Sequence, residues 1–567
     1  MKKFIIGISA LYHDSSVCLF KNGELVFACE EEKFTGIKHD SSFPVKALSY
    51  IFKKYKIKKD DVESVCYYED LSLKLERVKN NIKPIWYKRP LYSLKSYLGI
   101  KKNIKEINKY LPNISDNVFF STHHESHLYY SFYTSHFNSA ICLSIDGVGE
   151  VDTMSLGITE NDKIEYMSLS KYPHSLGLFY SAMTSFLGFK PNEGEYKVMG
   201  LASYGNPNTY IDKVRKLIKY KNSNLECNLD VFTWHVDNQS MFNDKLGKLM
   251  NMLPRIPDDK LEDIHMDLAA AVQMRYEEIL FQVIKTIKII DKNSNLCLSG
   301  GCAYNGTANG KIVDNTHFNS IWIPPAPSDA GSSIGACINY MVKNKILTGK
   351  VNRNPFLGPI YFSGEIQSVI KDRKYRKFNS DSKLMEYVAK KISEGNVVGW
   401  FQGHCEFGSR ALGNRSILAD PTDEGMKDRI NKVIKKREGF RPFAPMVIKD
   451  KQDIYFEMNG DIPYMNQVVK VKPEYQNILK AVTHVDGTSR VQTVHKNTLI
   501  YQLLLEFEKL SGYPILLNTS FNVKDKTMVL TPKDAIDTFY NTDLDILVIE
   551  NFIIEKNKNK NENEKNN

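Results

Sequence analysis

Residues 4–30 read FIIGISALYHDSSVCLFKNGELVFACE and contain three candidate strands joined by two tight turns. The segments Phe4–Ser9, Ser16–Lys21 and Leu25–Glu30 are apolar or alternate between apolar and polar residues, a pattern typical of strands. Between the last two segments, Asn22-Gly23 is a strong signal for a two-residue hairpin turn. We therefore expect two consecutive antiparallel hairpins in this part of the chain.

The same succession of features returns later in the sequence. Three further strand-like segments, separated by an Asp- and Gly-rich loop and by a polar turn, are Ala140–Ile145, Thr153–Thr159 and Ile164–Ser170. Helical periodicity is found in Pro44–Tyr55, Ser121–His136, Ser175–Leu187 and Leu261–Ile289. Alternating strands and helices predict an α/β protein. The duplication favours the two-lobed nucleotide-binding fold of actin, sugar kinases and Hsp70, with two unrelated meanders as the alternative.

The bulk composition describes a large folded protein. At 567 residues the chain exceeds the usual length of about 100–150 residues for one core, so more than one packed unit is expected. Apolar residues make up 42% and charged residues 25%, which argues against a disordered chain or a membrane protein. The net charge of +10 is a mild excess that suits small anions as well as nucleic acid.

The cysteines and the first residues point to a cytoplasmic protein. Nine cysteines form no CxxC pair and no regular framework, and most lie in apolar runs, so we expect buried thiols. The first residues lack the apolar stretch of a signal peptide, and no run approaches the ~18 apolar residues of a membrane span. No membrane partner is therefore expected.

Composition also indicates where the domains end. The Lys-rich stretch Leu71–Tyr110 is typical of an insertion or lid, with a solvated helical excursion as the alternative. The segment NRNPFLG, residues 352–358, has the proline and glycine of a domain joint. We expect domains over 1–355 and 356–555, followed by a Lys-, Asn- and Glu-rich tail, 556–567, that is disordered.

A metal site is predicted around the motif HHESH. His123 and His127 are four residues apart in a helical stretch, so both imidazoles project from one face. The spacing differs from HExxH, which disfavours a peptidase. Asp146 and Asp329 each follow a predicted strand and add carboxylates. Two imidazoles and two carboxylates suit iron(II), manganese or zinc.

Glycine-rich segments predict a nucleotide site. In LSGGCAYN, Gly300 and Gly301 follow a buried strand and Asn305 opens a helix, so backbone and side-chain amides can meet a nucleotide. In GEYKVMGLASYG, Lys197 is a cation beside glycine that can approach a phosphate. A solvated turn lysine is the alternative for Lys197.

The second half carries a separate set of cations. Arginines and lysines alternate with Phe and Pro in two motifs, which indicates a walled anion site rather than a solvated charge run. These cations are Arg410, Arg415, Lys435, Arg437 and Arg441. Further polar groups at apparent strand ends are Arg490, Asn518, Ser520 and Asn522.

With these motifs in sequence order, the chain resembles the O-carbamoyltransferase family that includes NodU, CmcH and TobZ. The resemblance spans nearly the whole chain and rests on GISALYHDSSVCLF, EEEKFTGIKHD, HHESH, GEYKVMGLASYG, LSGGCAYN, PSDAGSSIG, EFGSRALGNRSILADP, FRPFAP and LNTSFN. It implies an N-terminal actin-like ATPase domain of the ASKHA superfamily, similar to the tRNA threonylcarbamoyl-transferase, followed by a YrdC-like α/β domain.

The resemblance also implies a chemistry. ATP and carbamoyl phosphate would give carbamoyl adenylate in the second domain, and the first domain would pass the carbamoyl group to a hydroxyl of a small molecule. The residues implied for adenylate formation are Arg410, Lys435, Arg441 and Arg490, joined by Ser520 and Asn522. For the transfer, the matching motifs contain His13 and Lys38, either of which can serve as the base.

The same resemblance assigns cofactors and partners. The family's metal ligands fall on His123, His127, Asp146 and Asp329, and the metal is usually iron(II) bridging nucleotide phosphates, with another divalent cation or magnesium with ATP as alternatives. The expected partner is a small-molecule hydroxyl acceptor such as a sugar or an antibiotic. Nucleic acid is not expected, and the oligomeric state is left open, a homodimer included.

Two other classes of function compete with this prediction. A fused tRNA-modifying threonylcarbamoyl transferase would share both fold types and use the basic excess, and would be retained on tRNA in a salt-dependent manner. A non-catalytic nucleotide-switched protein of the actin or Hsp70 kind would leave the Arg-rich second domain without a purpose.

Overall fold

The hairpins predicted at residues 4–30 are present in the structure, a computed structural model. It describes residues 3–82, 90–160, 163–237, 239–290, 293–347, 349–458 and 460–556. Two compact units divide the chain: the first contains Met1–Thr35 and His39–Asn354, and the second contains Gly36–Lys38 and Pro355–Asn567. Residues 557–567 of the expected tail lie outside the described residues.

Twelve strands are described in the first unit. They are β1 (Phe4–Ser9), β2 (Ser16–Lys21), β3 (Glu24–Glu30), β4 (Val62–Tyr67), β5 (Val118–Phe120), β6 (Ile141–Ile145), β7 (Asp152–Glu160), β8 (Lys163–Lys171), β9 (Ile218–Lys221), β10 (Asn224–Cys227), β11 (Asn295–Ser299) and β12 (Ser320–Trp322).

Two five-stranded sheets share one topology. The first has the order β3-β2-β1-β4-β5, and the second has the order β8-β7-β6-β11-β12. In each sheet the first three strands are antiparallel and the last two are parallel to the central strand. Asn22 and Gly23 both have positive φ, as a type I′ hairpin turn requires. The structure confirms the duplication expected from the sequence.

Thirteen α-helices are described in the first unit and complete the α/β pattern. They are α1 (Glu31–Thr35), α2 (Val45–Tyr55), α3 (Leu71–Ile82), α4 (Pro90–Ile114), α5 (His123–Tyr133), α6 (Leu176–Phe186), α7 (Glu195–Leu201), α8 (Ile211–Val214), α9 (Asp244–Met250), α10 (Asp263–Ile290), α11 (Gly306–Asn309), α12 (Ile312–Asn315) and α13 (Asp329–Lys343).

Helix α13 packs tightly between two neighbours that matter for the site. A Cβ on Gly335 would lie 1.8 Å from the Ser126 carbonyl oxygen in α5, and a Cβ on Gly7 would lie 2.0 Å from the Ser333 carbonyl oxygen. Glycine is therefore required at both positions, because any side chain would push the backbones apart. This close packing sets the first residue of α13, Asp329, against the start of α5.

The Lys-rich stretch 71–110 is helical where it is described. It forms α3 and most of α4, while residues 83–89 lie outside the described residues. The C-terminal part of α4 is anchored, since Ile107, Leu111 and Ile114 are buried and Tyr110 stacks on Phe43 at 4.3 Å. The end of the predicted insertion is thus part of the core.

The second unit is built on an eight-stranded mixed sheet. The strands described in the whole unit are β13 (Arg376–Lys377), β14 (Val398–Phe401), β15 (Arg415–Ala419), β16 (Ala444–Ile448), β17 (Phe456–Glu457), β18 (Val469–Val471), β19 (Thr488–Ser489), β20 (Gln492–Val494), β21 (Ile515–Ser520), β22 (Ile546–Ile549) and β23 (Phe552–Glu555). The large sheet has the order β13-β23-β22-β14-β15-β21-β16-β20, and β17, β18 and β19 form a small one.

Seven α-helices are described in the second unit. They are α14 (Ser363–Ile370), α15 (Asp381–Ser393), α16 (Met426–Arg429), α17 (Gln452–Tyr455), α18 (Pro473–Gln476), α19 (Leu499–Ser511) and α20 (Pro532–Tyr540). A π-helical turn, Ile430–Lys435, continues α16 and carries Lys435. Both units therefore have the predicted α/β character.

All nine cysteines are free thiols, and eight of them are buried, as expected from their apolar surroundings. In the described part of the chain, none of the helices combines the length and hydropathy needed to cross a bilayer.

Candidate metal centre and anion site

The four predicted metal ligands come from three places in the first unit. His123 and His127 lie one turn apart at the start of α5, Asp146 directly follows β6, and Asp329 is the first residue of α13. All four are buried. The close packing of α13 against α5 brings the two carboxylates to the imidazole face.

Their donor atoms converge. Nε2 of His123 lies 3.1 Å from Nε2 of His127, and both nitrogens lie 3.0 Å from Oδ2 of Asp146. Oδ1 of Asp329 lies 3.6 Å from each nitrogen. All four donor atoms thus lie within 4.8 Å of one another.

These separations fit a divalent metal. Ligand bonds of about 2.1 Å place neighbouring donors about 3.0 Å apart in an octahedron and about 3.4 Å apart in a tetrahedron. Both oxygens of Asp329 are shielded from solvent and lack a hydrogen-bond partner among the described residues. A cation would satisfy them, and the two-nitrogen, two-oxygen set suits iron(II), manganese or zinc.

Outer contacts hold the ligands in place. The Ser332 hydroxyl lies 3.1 Å from Nδ1 of His127, which leaves Nε2 to face the centre. The backbone N–H of Gly147 donates to Oδ1 of Asp146 at 2.7 Å, and that of His123 donates to Glu150 at 2.9 Å. Sequence reasoning missed Glu150, although its place in the loop DGVGE next to Asp146 was a signal.

The charges of the four side chains shift the pKa values of His123 and Asp146. Burial acts to lower the pKa of His123, but the carboxylates of Asp329 and Asp146 raise it to about 9. Burial acts to raise the pKa of Asp146, but hydrogen bonds from His123 and His127 hold it well below its usual range. The carboxylate pair therefore attracts positive charge, whether proton or metal.

His13 lies at the edge of this centre, and Lys38 falls in the second unit. Nε2 of His13 is 3.7 Å from Oδ2 of Asp329, and Nδ1 is 3.2 Å from Oδ2 of Asp14. Burial acts to lower the pKa of His13, but Asp329 and Asp14 raise it to about 10. Lys38 belongs to the second unit, so the structure does not group the two predicted base candidates in one unit.

The predicted glycine pair, Gly300 and Gly301, lies against the loop that begins at Asp146. Gly300 has φ of +85°, and a Cβ there would lie 2.2 Å from the Ile145 carbonyl oxygen. A Cβ on Gly301 would lie 3.1 Å from Oδ1 of Asp146. The two glycines thus let a backbone turn pass beside Asp146, and their contact with a nucleotide stays a prediction.

The other two predicted nucleotide residues are engaged within the protein. The Asn305 side chain caps α11 by accepting from the Ala308 N–H at 3.0 Å, and it pairs with the Gln273 amide at 3.0 Å. The Lys197 ammonium lies 5.5 Å from the centre of the Phe189 ring. The structure gives both a structural contact, and their contact with a nucleotide stays a prediction.

In the second unit, three predicted residues touch directly. The Lys435 ammonium donates to the Ser520 carbonyl oxygen, to the Asn522 carbonyl oxygen at 2.9 Å and to Oδ1 of Asn522 at 2.7 Å. The Ser520 hydroxyl donates to the same Oδ1 at 2.7 Å. Burial and neighbouring cations, Arg437 among them, lower the pKa of Lys435 well below its usual range.

Arg490 lies beside other guanidinium groups. Burial, followed by the charges of Arg410 and Arg437, lowers the pKa of Arg490 well below its usual range. Its surface is nevertheless partly exposed, and no ion pair joins it to a described carboxylate. Arg441 instead pairs with Glu438 at 2.8 Å. Arg490 is therefore a partly exposed cation among like charges, a setting that favours an anion.

Arg415 has a different role from Arg490. It is fully buried, donates to the carbonyl oxygens of Gln402 and Gly403 at 2.5 and 3.1 Å, and lies 3.5 Å above the Phe401 ring. Glu406, which sequence reasoning missed, accepts three backbone N–H groups of the loop 412–415 at 2.8–3.0 Å. Arg415 therefore holds the loop and not a ligand.

Comparisons with known proteins assign the family. The family model for the carbamoyltransferase N-terminus matches residues 4–338, and that for the carbamoyltransferase C-terminus matches residues 389–556. An uncharacterized protein of Synechocystis is 38% identical over 97% of this chain and 96% of its own length.

Two nodulation proteins are also similar. NolNO of Sinorhizobium fredii is 33% identical over 96% of this chain and 79% of its own, and NolO of Bradyrhizobium diazoefficiens is 35% identical over 76% of this chain and 78% of its own. The family predicted from the sequence motifs is confirmed: the chain belongs to the carbamoyltransferase family and is a carbamoyltransferase.

Proposed function

We propose that this carbamoyltransferase takes the carbamoyl group from carbamoyl phosphate, through carbamoyl adenylate, to a hydroxyl of a small molecule. With one water consumed, ATP and carbamoyl phosphate give carbamoyl adenylate, pyrophosphate and phosphate. The acceptor oxygen then bonds to the carbamoyl carbon, and AMP leaves with the electron pair of the broken bond. The adenylate is needed because the carbamoyl group is a weak electrophile.

The environment of Arg490 carries the proposal. The residue is partly exposed, the pKa of its guanidinium is depressed by burial and by the nearby charges of Arg410 and Arg437, and no described carboxylate pairs with it. A bound phosphate relieves this repulsion and accepts the paired N–H groups of the guanidinium. Activation of carbamoyl phosphate with ATP brings such phosphates to the second unit, which we assign as the YrdC-like domain.

The transfer step is assigned to the first unit. The repeated strand order of its two sheets supports an actin-like ATPase fold. His123, His127, Asp146 and Asp329 would hold a divalent cation, iron(II) in our proposal, which when bound supplies positive charge to the nucleotide phosphate. His13 lies 3.7 Å from Asp329, whose charge, against the effect of burial, raises the pKa of His13 in the metal-free protein. Once a cation neutralises that charge, the His13 imidazole is placed to accept the proton of the hydroxyl.

Pyrophosphate release tests the activation step. Wild-type protein with ATP and carbamoyl phosphate should give a burst of pyrophosphate that requires both compounds. Arg490→Met should lower the burst at least about tenfold, because one paired charge contact to a phosphate is lost. Arg373→Met, which removes an exposed guanidinium stacked on Tyr540 in the same unit, is the matched control. Pyrophosphate release without carbamoyl phosphate would contradict the proposal.

The acceptor is found by mass spectrometry. A panel of sugars and natural-product alcohols, incubated with protein, ATP, carbamoyl phosphate and iron(II), should contain one compound that gains the mass of a carbamoyl group. A gain on amines alone would overturn the hydroxyl assignment while leaving the activation step intact.

A further inference from the structure

A cluster beside the metal centre has no role in the steps above. One oxygen of Asp14 lies 3.2 Å from Nδ1 of His13, and the other lies 2.6 Å from Nδ1 of His39. The backbone N–H of His39 donates to Glu32 at 2.8 Å. Asp14 therefore bridges two imidazoles, each through its own oxygen.

This cluster is better satisfied as a hydrogen-bond network than as a second metal site. Asp14, Glu32 and His39 offer ligand atoms within 4.8 Å of one another. However, the donor groups of His39 already engage an oxygen of Asp14 and an oxygen of Glu32. The hydrogen bonds from His13 and His39 also hold the pKa of Asp14 below its usual range although burial opposes this, so it is an ionised acceptor.

The backbone at the cluster adopts uncommon conformations. Leu11, Asp14 and His39 have φ of 71°, 52° and 51°, in the left-handed region that non-glycine residues seldom occupy. Two backbone bonds between the loops, Leu11 N–H to Ser41 at 3.0 Å and Ser15 N–H to the Asp40 carbonyl at 2.9 Å, hold them there. Such strain is retained where the surroundings fix a functional geometry.

We propose that Asp14 is a positioning residue that fixes the orientation and tautomer of His13, and that His39 anchors Asp14. This inference rests on the proposed function. In its neutral form His13 carries the Nδ1 proton that Asp14 accepts, so its lone pair is on Nε2, the nitrogen that faces Asp329 at 3.7 Å.

His13 then takes up the proton that the acceptor hydroxyl loses in the transfer step. The acceptor hydroxyl gives its proton to Nε2 as its oxygen bonds to the carbamoyl carbon, and AMP leaves with the electron pair of the broken bond. Asp14 touches neither substrate and acts only by holding the imidazole and stabilising its charged form.

Asp14→Asn is the informative variant, because asparagine tolerates the left-handed backbone. An amide offers one acceptor oxygen, so it cannot hold both His13 and His39 as the carboxylate does. In the zinc-loaded full chain, labelled at histidine, nitrogen NMR should show the Nδ1–H tautomer of His13 in the wild type. The Asp14→Asn protein should show a population of the Nε2–H tautomer. His13→Ala assigns the signal.

A wild-type His13 with its proton on Nε2 would overturn the inference. The tautomer measurement does not depend on turnover, so it remains decisive even if the proposed function fails. Asp267→Asn is the matched control, since its carboxylate in the same unit also accepts two hydrogen bonds, from the Asn206 N–H at 2.7 Å and the Thr209 hydroxyl at 2.8 Å.

Turnover provides the second test. With the acceptor panel, Asp14→Asn should slow AMP release at least about tenfold, a part of the roughly 10²–10⁴-fold that base catalysis contributes. It should leave the pyrophosphate burst unchanged. In a His13→Ala background the same substitution should have no further effect, whereas additive losses would show a merely structural role. If carbamoyl phosphate triggers no pyrophosphate release in the wild type, the proposed function fails instead.

Discussion

Nε2 of His127 faces Nε2 of His123 across 3.1 Å, and both nitrogens face one oxygen of Asp146 at 3.0 Å. Two imidazole lone pairs approach this closely only when a proton or a cation lies between them. One proton cannot also satisfy Asp329, whose two oxygens have no hydrogen-bond partner among the residues described. A metal ion satisfies all four side chains at once.

Removing one imidazole should therefore abolish metal binding. His127→Ala deletes a ligand that is completely buried, and a water in its place is a weaker ligand than an imidazole. Dialysed wild-type protein should retain a single equivalent of zinc or iron, and the variant none, as measured by elemental analysis. His495→Ala, an exposed imidazole paired with Asp461 in the second unit, should retain the metal. Equal metal content in wild type and His127→Ala would refute the centre.

Replacing Arg490 or Arg415 of the second unit with methionine should have opposite effects on the free energy of unfolding. Arg490→Met removes a cation that burial and like charges disfavour, so the free energy of unfolding should stay the same or rise. Arg415→Met leaves buried carbonyl oxygens without donors and should lower the free energy of unfolding by about 3 kcal/mol or more. Urea denaturation measures both. A marked loss of stability in Arg490→Met would show that it is structural.

A methyl group on Gly300 should distort the backbone next to the metal ligand Asp146. The residue has φ of +85°, and the added Cβ would lie 2.2 Å from the Ile145 carbonyl oxygen, directly before Asp146. Gly300→Ala should lower the free energy of unfolding by about 3 kcal/mol or more and weaken zinc binding. Gly512→Ala separates the two causes, because Gly512 has φ of +81° at the end of α19 with open space around it. That control should lose roughly 1–2 kcal/mol and keep its zinc affinity.

Much of this site can be predicted from the sequence, because the predicted ligands are recognised from their local spacing. His123 and His127 are one helical turn apart, and Asp146 and Asp329 follow strands, so four residues from distant segments could be predicted to meet. The cysteines and the duplicated hairpins follow from hydrophobic patterning in the same way.

What escaped prediction depends on contacts between loops that are distant in sequence. Asp14 contacts His39 across 25 residues of sequence, and both residues take left-handed backbone conformations, which composition does not reveal. Arg415 and Arg490 likewise have the same chemistry in the sequence. The carbonyl oxygens around Arg415 identify it as a buried structural cation, whereas Arg490 is partly exposed.

Metal affinity should depend on pH through His123. Its pKa, raised to about 9 by Asp329 and Asp146 against the effect of burial, lies above the ordinary value of 6.5, so the metal-free protein binds a proton there at pH 7. A metal ligand must be deprotonated, and binding therefore releases that proton. Zinc affinity, measured against a chelator whose own protonation is corrected, should rise roughly tenfold per pH unit from pH 7 and level off near pH 9.

The same raised pKa gives the metal-free protein an opposite trend. His123 contributes stability that is fully present below pH 6.5 and is lost as the pH rises through about 9, so unfolding should become easier over this range without metal. Zinc should remove the trend, because the cation replaces the proton between Asp146, Asp329 and the imidazoles. A zinc affinity that stays constant from pH 7 to pH 9 would mean that His123 is already neutral, and that the carboxylates do not act on it as their distances imply.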